Sequence, residues 1–500
     1  MSIPILAHRV AQIRPFQVME LVKHASALQA AGHPVIHMSI GEPDFTAPEP
    51  VLRALELAAR AGRTQYTPAT GIAPLRQAIA RHYGDRYGLD VAPARIVVTA
   101  GASAALSLAC CALVNPGAQV LMTDPSYPCN RHFVAAVDGV PVGVPVGPDT
   151  RFQMTGERLQ GYWNDRVCGT LLASPANPTG TSIPFDELGR IVDVVRGRGG
   201  FTLVDEIYLG LRYDLDAGRQ RVHSALELGD DVIVTNSFSK YFSMTGWRLG
   251  WLVVPEALAG VFEKLAQNLF ICPSALAQHA GLACFDAESL AIYEERRREF
   301  QRRRDFIVPA LRAIGLDVPV MPDGAFYVYL DCSRFGLDSS RFAARLLDEQ
   351  FVSLVPGTDF GTPSRRAICG CRMRPLMNSS RKRPGASGAG CRRWRAPGAD
   401  EAPGADEGYG AGAGPSAAAV AGDIGAAWAA VEPDITLSIS SMIASRARAP
   451  SPVAAAGAGA ASTPATAGFS GTAGLDGRFG APLPAAAAAS RSRSASTLTP

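Results

Sequence analysis

Residues 46–285 predict an α/β fold of three layers, a mainly parallel sheet with helices on both faces. Two observations carry this. The apolar runs are nearly continuous rather than alternating, as strands buried on both faces require. Amphipathic stretches separate them, with turn residues at the junctions. Ile96 to Thr99 opens the series as a β-branched run, followed by Gly101-Ala102-Ser103 and a helical stretch from Ala104 to Leu113. Further strands are expected at Gln119 to Met122, Thr170 to Ala173, Phe201 to Val204, Val232 to Val234 and Leu249 to Val254. Leu258 to Leu269 and Leu290 to Ile314 read as helices, Ala325 to Asp331 as a strand and Ser339 to Gln350 as a helix. A split, incomplete α+β small domain is expected from residues 1–45 and 286–361.

Composition changes abruptly near Gly361. Beyond it Ala, Gly, Pro, Ser and Arg dominate, and large apolar residues are too few to offset the entropy of ordering. Residues 362–500 therefore read as a low-complexity, mostly disordered tail, with a weak helix around Ala421 to Val431.

A net charge of +3 on 500 residues calls for neither an acidic nor a basic partner. Arg296, Arg297, Arg298, Arg302, Arg303 and Arg304 crowd one helix. Without aromatic interleaving they read as a solvated helix face rather than a nucleic-acid surface. The ten cysteines form no metal-type double pair, so no metal is expected. The first ten residues carry no basic region followed by an apolar run, and no apolar stretch is long enough for a bilayer. A cytoplasmic protein without a membrane partner is the expectation.

Lys240 is the most informative residue. It is one of four lysines, with Lys23, Lys264 and Lys382, in a chain whose other basic residues are arginine. A position that keeps lysine against that bias points to a need for an amine, because lysine forms a Schiff base and arginine does not. Its surroundings suit pyridoxal phosphate, which needs an amine, an anion site, an acid at the pyridine nitrogen and a face to stack on. Gly101-Ala102-Ser103 opens a helix, where free N–H groups favour phosphate; an ordinary Gly-Ser turn is the plain alternative. Asp205 ends a strand and can hold a pyridine nitrogen protonated, or simply cap a helix. Tyr208 can reach the phenolic oxygen, or fill the core. Asn177 sits between Pro175 and Pro178 in a stiff turn that can aim its amide. Ser237 and Arg248 flank Lys240 and can bind phosphate. Tyr127 can stack on the ring, or pack.

In this order the residues resemble a class I/II aminotransferase of pyridoxal-phosphate fold type I, similar to the bacterial aspartate and alanine aminotransferase branch. The resemblance covers about residues 5–361. It includes Ser39 to Phe45, Tyr66-Thr67-Pro68 with Gly71, the Asn177 turn, Asp205 to Tyr208, and Ser237 to Arg248. It implies pyridoxal 5'-phosphate as cofactor and amino transfer from an amino acid to a 2-oxo acid by a ping-pong mechanism. It implies Lys240 as the Schiff-base lysine and proton shuttle, with Asp205 at the pyridine nitrogen. Asn177 and Tyr208 would hold the phenolic oxygen, and Tyr127 would stack. Gly101, Ala102, Ser103, Ser237 and Arg248 would bind phosphate. Tyr66 would reach the phosphate of a neighbouring subunit, so a homodimer is implied, and Gly41 would close over the substrate's α-carboxylate. Where some aspartate and prephenate branches carry lysine, this chain has Ser103, which disfavours an acidic donor. A lyase or decarboxylase using the same cofactor, and an inactive cofactor-binding homologue, are the alternative readings.

The resemblance breaks after Leu354 to Phe360. The family's carboxylate-binding arginine should follow within about ten residues and does not. Back-translation from the third base of the Ala367 codon permits His-Leu-Arg-Val-Ser-Tyr-Ala-Thr-Ala-Asp-Glu, which resembles the missing segment. Its arginine codon straddles Cys369 and Gly370. A slip of the reading frame between about Gly361 and Ala367 is the hypothesis, with the tail as out-of-frame translation. The small domain's last strand and helix would then be lost.

Overall fold

The computed structural model describes residues 5–13, 15, 17–213, 221–313, 315–361 and 368–373. The expected weak helix at 421–431 lies outside the described residues. Strands β1 (Ile36–His37), β2 (Ile96–Thr99), β3 (Gln119–Asp124), β4 (Val140–Pro145), β5 (Val167–Ala173), β6 (Phe201–Asp205), β7 (Ile233–Ser237), β8 (Gly250–Val253), β9 (Tyr327–Asp331), β10 (Val352–Ser353), β11 (Val355–Pro356) and β12 (Ile368–Arg372) form three sheets.

The large sheet has the order β2-β8-β7-β6-β5-β3-β4. Pairs from β7 to β4 are parallel, whereas β8 runs antiparallel to both β2 and β7. Consecutive residues of its strands enter opposite cores. Val98, Leu172, Val204, Val234 and Trp251 join one cluster. Val97, Leu171, Leu203, Ile233 and Leu252 join the other. Burial on both faces is why these strands read as continuous apolar runs. Each such side chain contributes roughly 1.5–3 kcal/mol when fully buried.

Sequence reading missed β4. Its Val-Pro-Val-Gly-Val-Pro pattern lacks the expected run, because β4 is an edge strand, where proline is tolerated and one side needs no partner. The expected helices appear as Gly101–Leu113, Ala259–Leu269, Ala287–Ala313 and Ser339–Gln350.

Chain ends meet in the smaller sheets. β1 pairs in parallel with β10, Ile36 opposite Val352. β12 lies between β11 and β9, antiparallel to both. Residues 368–372 were expected within an unstructured tail and the closing strand was expected to be lost; instead they supply that strand. The reason is that β9 and β11 each present a row of backbone N–H and C=O groups, and a ladder pairs backbone without regard to side chain.

The arginine-rich helix also departs from expectation. Arg298 and Arg302 are exposed, but Arg297, Arg303 and Arg304 are buried. The Arg303 guanidinium bonds Asp44 Oδ1 at 2.8 Å and Glu299 Oε1 at 2.9 Å, and stacks near Phe45 and Phe300. Arg304 donates to the Pro322 carbonyl at 3.1 Å and lies over the Tyr213 ring. Arg303 holds the helix against Asp44 and Phe45, and Arg304 holds it against Pro322 and Tyr213, rather than facing solvent. Replacing Arg303 by Met should lower stability by about 2–4 kcal/mol, because Asp44 loses its buried partner. Arg302→Ala, at an exposed pair, should cost under about 1 kcal/mol. Urea unfolding of both variants checks this; equal effects would mean that Arg303 is not a buried anchor.

Candidate active site

The register brings the chemistry-bearing residues to one edge. Asp205 pairs with Ala173 on one side and Thr235 on the other. Gly250 pairs with Thr99 and with Ser237. The carboxyl ends of β2, β5, β6 and β7 and the start of antiparallel β8 therefore coincide, which is where ligands bind open α/β sheets.

At one end of this edge is a cluster of donors of the kind that can cradle an anion. The helix Gly101–Leu113 starts at Gly101, whose φ of +80° favours glycine. A Cβ there would lie 2.6 Å from Arg248 Nη2. The missing side chain thus lets the guanidinium lie against a helix N-terminus that no side chain caps. Gly250 does the same from below, since its Cβ would stand 2.9 Å from the Ala102 nitrogen. Arg248 itself is exposed and donates to the Thr245 carbonyl at 2.9 Å. Ser237 is fully buried; its Oγ lies 2.9 Å from Ser239 Oγ and 3.0 Å from the Leu249 carbonyl. Ser239, which sequence reading passed over, is the hydroxyl within 3.5 Å of Arg248 Nη1. Ala102 is buried and Ser103 exposed at the same helix start.

The second cluster surrounds Lys240. Its Nζ donates to the Gly41 carbonyl at 2.6 Å and lies 5.9 Å and 5.7 Å from the Tyr208 and Phe326 ring centres. The Tyr208 and Tyr327 hydroxyls are 2.7 Å apart. A Cβ on Gly41 would meet the Tyr327 hydroxyl at 2.6 Å, so glycine is required there by close approach. Asp205 is buried and accepts from the Ile207 N–H at 3.1 Å. Burial pushes its carboxyl up to about 7, opposed by that N–H and by the Lys240 charge. Its neighbour Glu206 is also buried, and burial pushes it up to about 8. Glu206 accepts from Ser224 Oγ at 2.9 Å and the Ala225 N–H at 2.6 Å, and so ties the strand end to the following loop. Tyr127 precedes the helix Pro128–Ala136, and its hydroxyl is raised by burial first, then by Cys129, Tyr327 and Asp205. Asn177 Oδ1 is buried with no hydrogen-bond partner among the described residues.

Tyr66 does not join this group and is 86% exposed. Phe326 and Tyr327 were missed, although their strand was read correctly, because the sequence does not say which large-domain residue a small-sheet strand will touch. Among the described residues no three His, Cys, Asp or Glu side chains gather as metal ligands, and no helix is long and apolar enough to cross a membrane.

The family profile described as "Aminotransferase class I and II" matches residues 33–376. A valine–pyruvate aminotransferase of Mycobacterium tuberculosis is 39% identical over 352 residues, covering 70% of this chain and 90% of that protein. An aspartate aminotransferase of Geobacillus stearothermophilus is 33% identical over 366 residues, covering 72% and 92%. Among solved structures, an aminotransferase from Mycobacterium tuberculosis superposes with a TM-score of 0.71 at 38% identity, covering 75% of this chain and 95% of that one. The Thermus thermophilus aspartate aminotransferase with maleate gives 0.69 at 31% identity, covering 74% and 95%. With its parallel sheet, its anion cradle and its lysine facing a buried aspartate, the chain belongs to the class I and II aminotransferases, enzymes that use pyridoxal phosphate to move an amino group between an amino acid and a 2-oxo acid.

Proposed function

We propose that Lys240 holds the cofactor covalently and moves the reacting proton, in a ping-pong cycle that alternates amino acid and 2-oxo acid. The observation that carries this reading is the convergence of Lys240, Asp205, Tyr208 and the Gly101–Arg248 cradle on one strand-end edge. The chain's residues fit the group. The cradle suits its phosphate through Gly101, Ala102, Ser103 and Arg248, with Ser237 and Ser239 behind them. The orphaned amide of Asn177 suits its phenolic oxygen, since the two ends of an amide exchange by a half-turn. Tyr208 adds a second donor there, and Tyr127, which interacts electrostatically with Tyr327 and Asp205, would stack on the ring. When bound, the cofactor supplies an electron sink for the substrate carbon. Asp205 keeps the pyridine nitrogen protonated, and its buried carboxylate gains a second cation beside Lys240. The Lys240 amine, held beside the Gly41 carbonyl, carries the proton to and from the substrate.

A homodimer completes the site in this reading. Exposed Tyr66 would reach a second copy's phosphate, and the exposed side chains of Leu269, Phe270 and Ile271 would be covered. Free thiols such as Cys110, Cys111 and Cys284 suit a reducing compartment, which supports a cytoplasmic enzyme. Ser103 disfavours an acidic donor, and a relative named for valine and pyruvate agrees with a neutral one.

The substrate side is impaired. Gly370 stands in β12 with its missing side chain toward Phe360 and Pro178, next to Asn177. The shifted reading frame would set arginine at this point. Without it the α-carboxylate loses a charge-assisted clamp, a loss of roughly 10²-fold or more in kcat/KM. Restoring the frame should recover that factor with a neutral amino acid. Gly370→Arg alone should recover part of it, since Phe360 stands 3.1 Å from the new Cβ and must yield. Equal turnover by the uncorrected chain would overturn the argument, as would an error-free, in-frame gene in several isolates.

Lys240→Ala should abolish transamination and leave no cofactor attached after borohydride reduction, read by peptide mass. A reducible bond that survives would assign the role to another lysine. Asp205→Ala in the frame-corrected enzyme should lose at least ~10²-fold in rate, the scale of a preorganised charge contact; an unchanged rate would remove Asp205 from the pyridine nitrogen.

Asp205 also predicts a pH dependence of the cofactor-free protein. Its folded carboxyl keeps a proton to about 7, above the ordinary 3.8. The stability this contributes is full below about 3.8 and is lost as pH rises through about 7. Asp205→Asn should flatten the fall in melting temperature over that range. An unchanged slope would mean that Asp205 is ionised in the empty site.

A further inference from the structure

Tyr327 is a polar side chain of the Lys240 cluster that the proposed roles leave unused. It is 7% exposed, stands on β9 of the small sheet, and faces Tyr208 of the large domain. Its ring packs edge-on to the Tyr208 ring at 5.6 Å, and its hydroxyl lies 2.7 Å from the Tyr208 hydroxyl. A hydroxyl has one proton to give and two lone pairs to receive with. In a pair of phenols only one proton can lie between the oxygens. If Tyr208 gives its proton to Tyr327, it has none for a third group. If Tyr327 gives its proton, the Tyr208 proton is free to point at a ligand beside Lys240.

We infer that Tyr327 is a positioning residue: its hydroxyl donates to the Tyr208 oxygen and so turns the Tyr208 proton toward the cofactor's phenolic oxygen. This rests on the proposed reading in which Tyr208 serves that oxygen. Two observations and one general principle favour it. Burial raises the Tyr208 phenol well above its usual range, so Tyr208 keeps a proton to give. Chained donors polarise one another, so a Tyr208 that accepts from Tyr327 is the stronger donor. The contact is also built: Gly41 has no Cβ, and one would lie 2.6 Å from the Tyr327 hydroxyl. The same Gly41 carbonyl receives the Lys240 amine. One glycine thus sets the approach of the amine on one side and of the second phenol on the other.

The arrangement links the small sheet to the cofactor. Tyr327 pairs with Arg372 across the β9–β12 ladder, at the strand whose residues depart from the family. The small sheet therefore acts on the cofactor's charge through a hydroxyl pair, apart from any contact with substrate.

The test is a spectroscopic pH titration of the holoenzyme in four forms: the parent, Tyr327→Phe, Tyr208→Phe and the double variant. A donor on the phenolic oxygen stabilises its negative charge once the lysine-linked nitrogen has lost its proton. Weakening that donor raises the pH at which the bound cofactor's absorbance changes. Tyr327→Phe should raise it by roughly 0.3–1 pH unit, with a larger rise for Tyr208→Phe. In the Tyr208→Phe background the further effect of Tyr327→Phe should vanish. Gly41→Ala, which displaces the same hydroxyl, should shift the titration in the same direction and keeps the test usable if Tyr327→Phe folds poorly. A rise with Tyr208→Phe but none with Tyr327→Phe or Gly41→Ala would overturn the inference and leave the Tyr208 assignment standing. An equal Tyr327→Phe shift with and without Tyr208 would also overturn it. No change with Tyr208→Phe would remove the Tyr208 assignment, and the inference with it.

Discussion

The site depends on a buried carboxylate. Asp205 ends the middle strand of a sheet covered on both faces, between Ala173 and Thr235 on the neighbouring strands, with one N–H on its oxygen. An anion in such surroundings is costly unless a cation answers it. Lys240 is the cation that the chain supplies. In the proposed reading the cofactor's pyridinium is the second, and without it burial favours the protonated form of Asp205. The parallel sheet makes this arrangement accessible. Only at the carboxyl end of its strands does the backbone turn outward while its last side chain stays within the layer.

Much of the fold was legible because both faces of the sheet are buried. Continuous apolar runs marked β2, β3, β5, β6, β7 and β8 with boundaries close to those observed. β4 was not legible, since an edge strand carries Pro141, Gly143 and Pro145 without penalty and so loses its pattern. The interior arginines were misread for a related reason. Arg297, Arg303 and Arg304 carry the composition of a solvated helix, and their burial becomes tolerable through partners such as Asp44 and Phe45 for Arg303 and Pro322 and Tyr213 for Arg304. Asp44, Phe45 and Tyr213 lie far from the helix in sequence.

The site was legible where its residues belong to local geometry. Asp205 and Lys240 follow strand ends, and Gly101 opens a helix, so spacing alone placed them near one edge. Ser239, Phe326 and Tyr327 were not legible. Ser239 differs from Ser237 only in which way a tight turn points its hydroxyl. Tyr327 enters through packing of a small-sheet strand on Tyr208, a contact 119 residues apart along the chain.

The last strand separates fold from function. β12 takes its place between β9 and β11 through backbone hydrogen bonds, which any extended segment can make. The five residues of β12, in which the expected arginine pattern is not legible, therefore complete the sheet. Binding a carboxylate is a different demand, because it needs a particular side chain at one alternation of that strand. Position 370 faces the Asn177 turn with nothing beyond its Cα. A ladder that ignores side chains preserves the wall of the site, and with it the Tyr327 contact, while in the proposed reading that wall lacks the cation a carboxylate needs. Cofactor binding and substrate binding draw on different parts of the chain, so in the proposed reading an altered β12 weakens the second without dismantling the first.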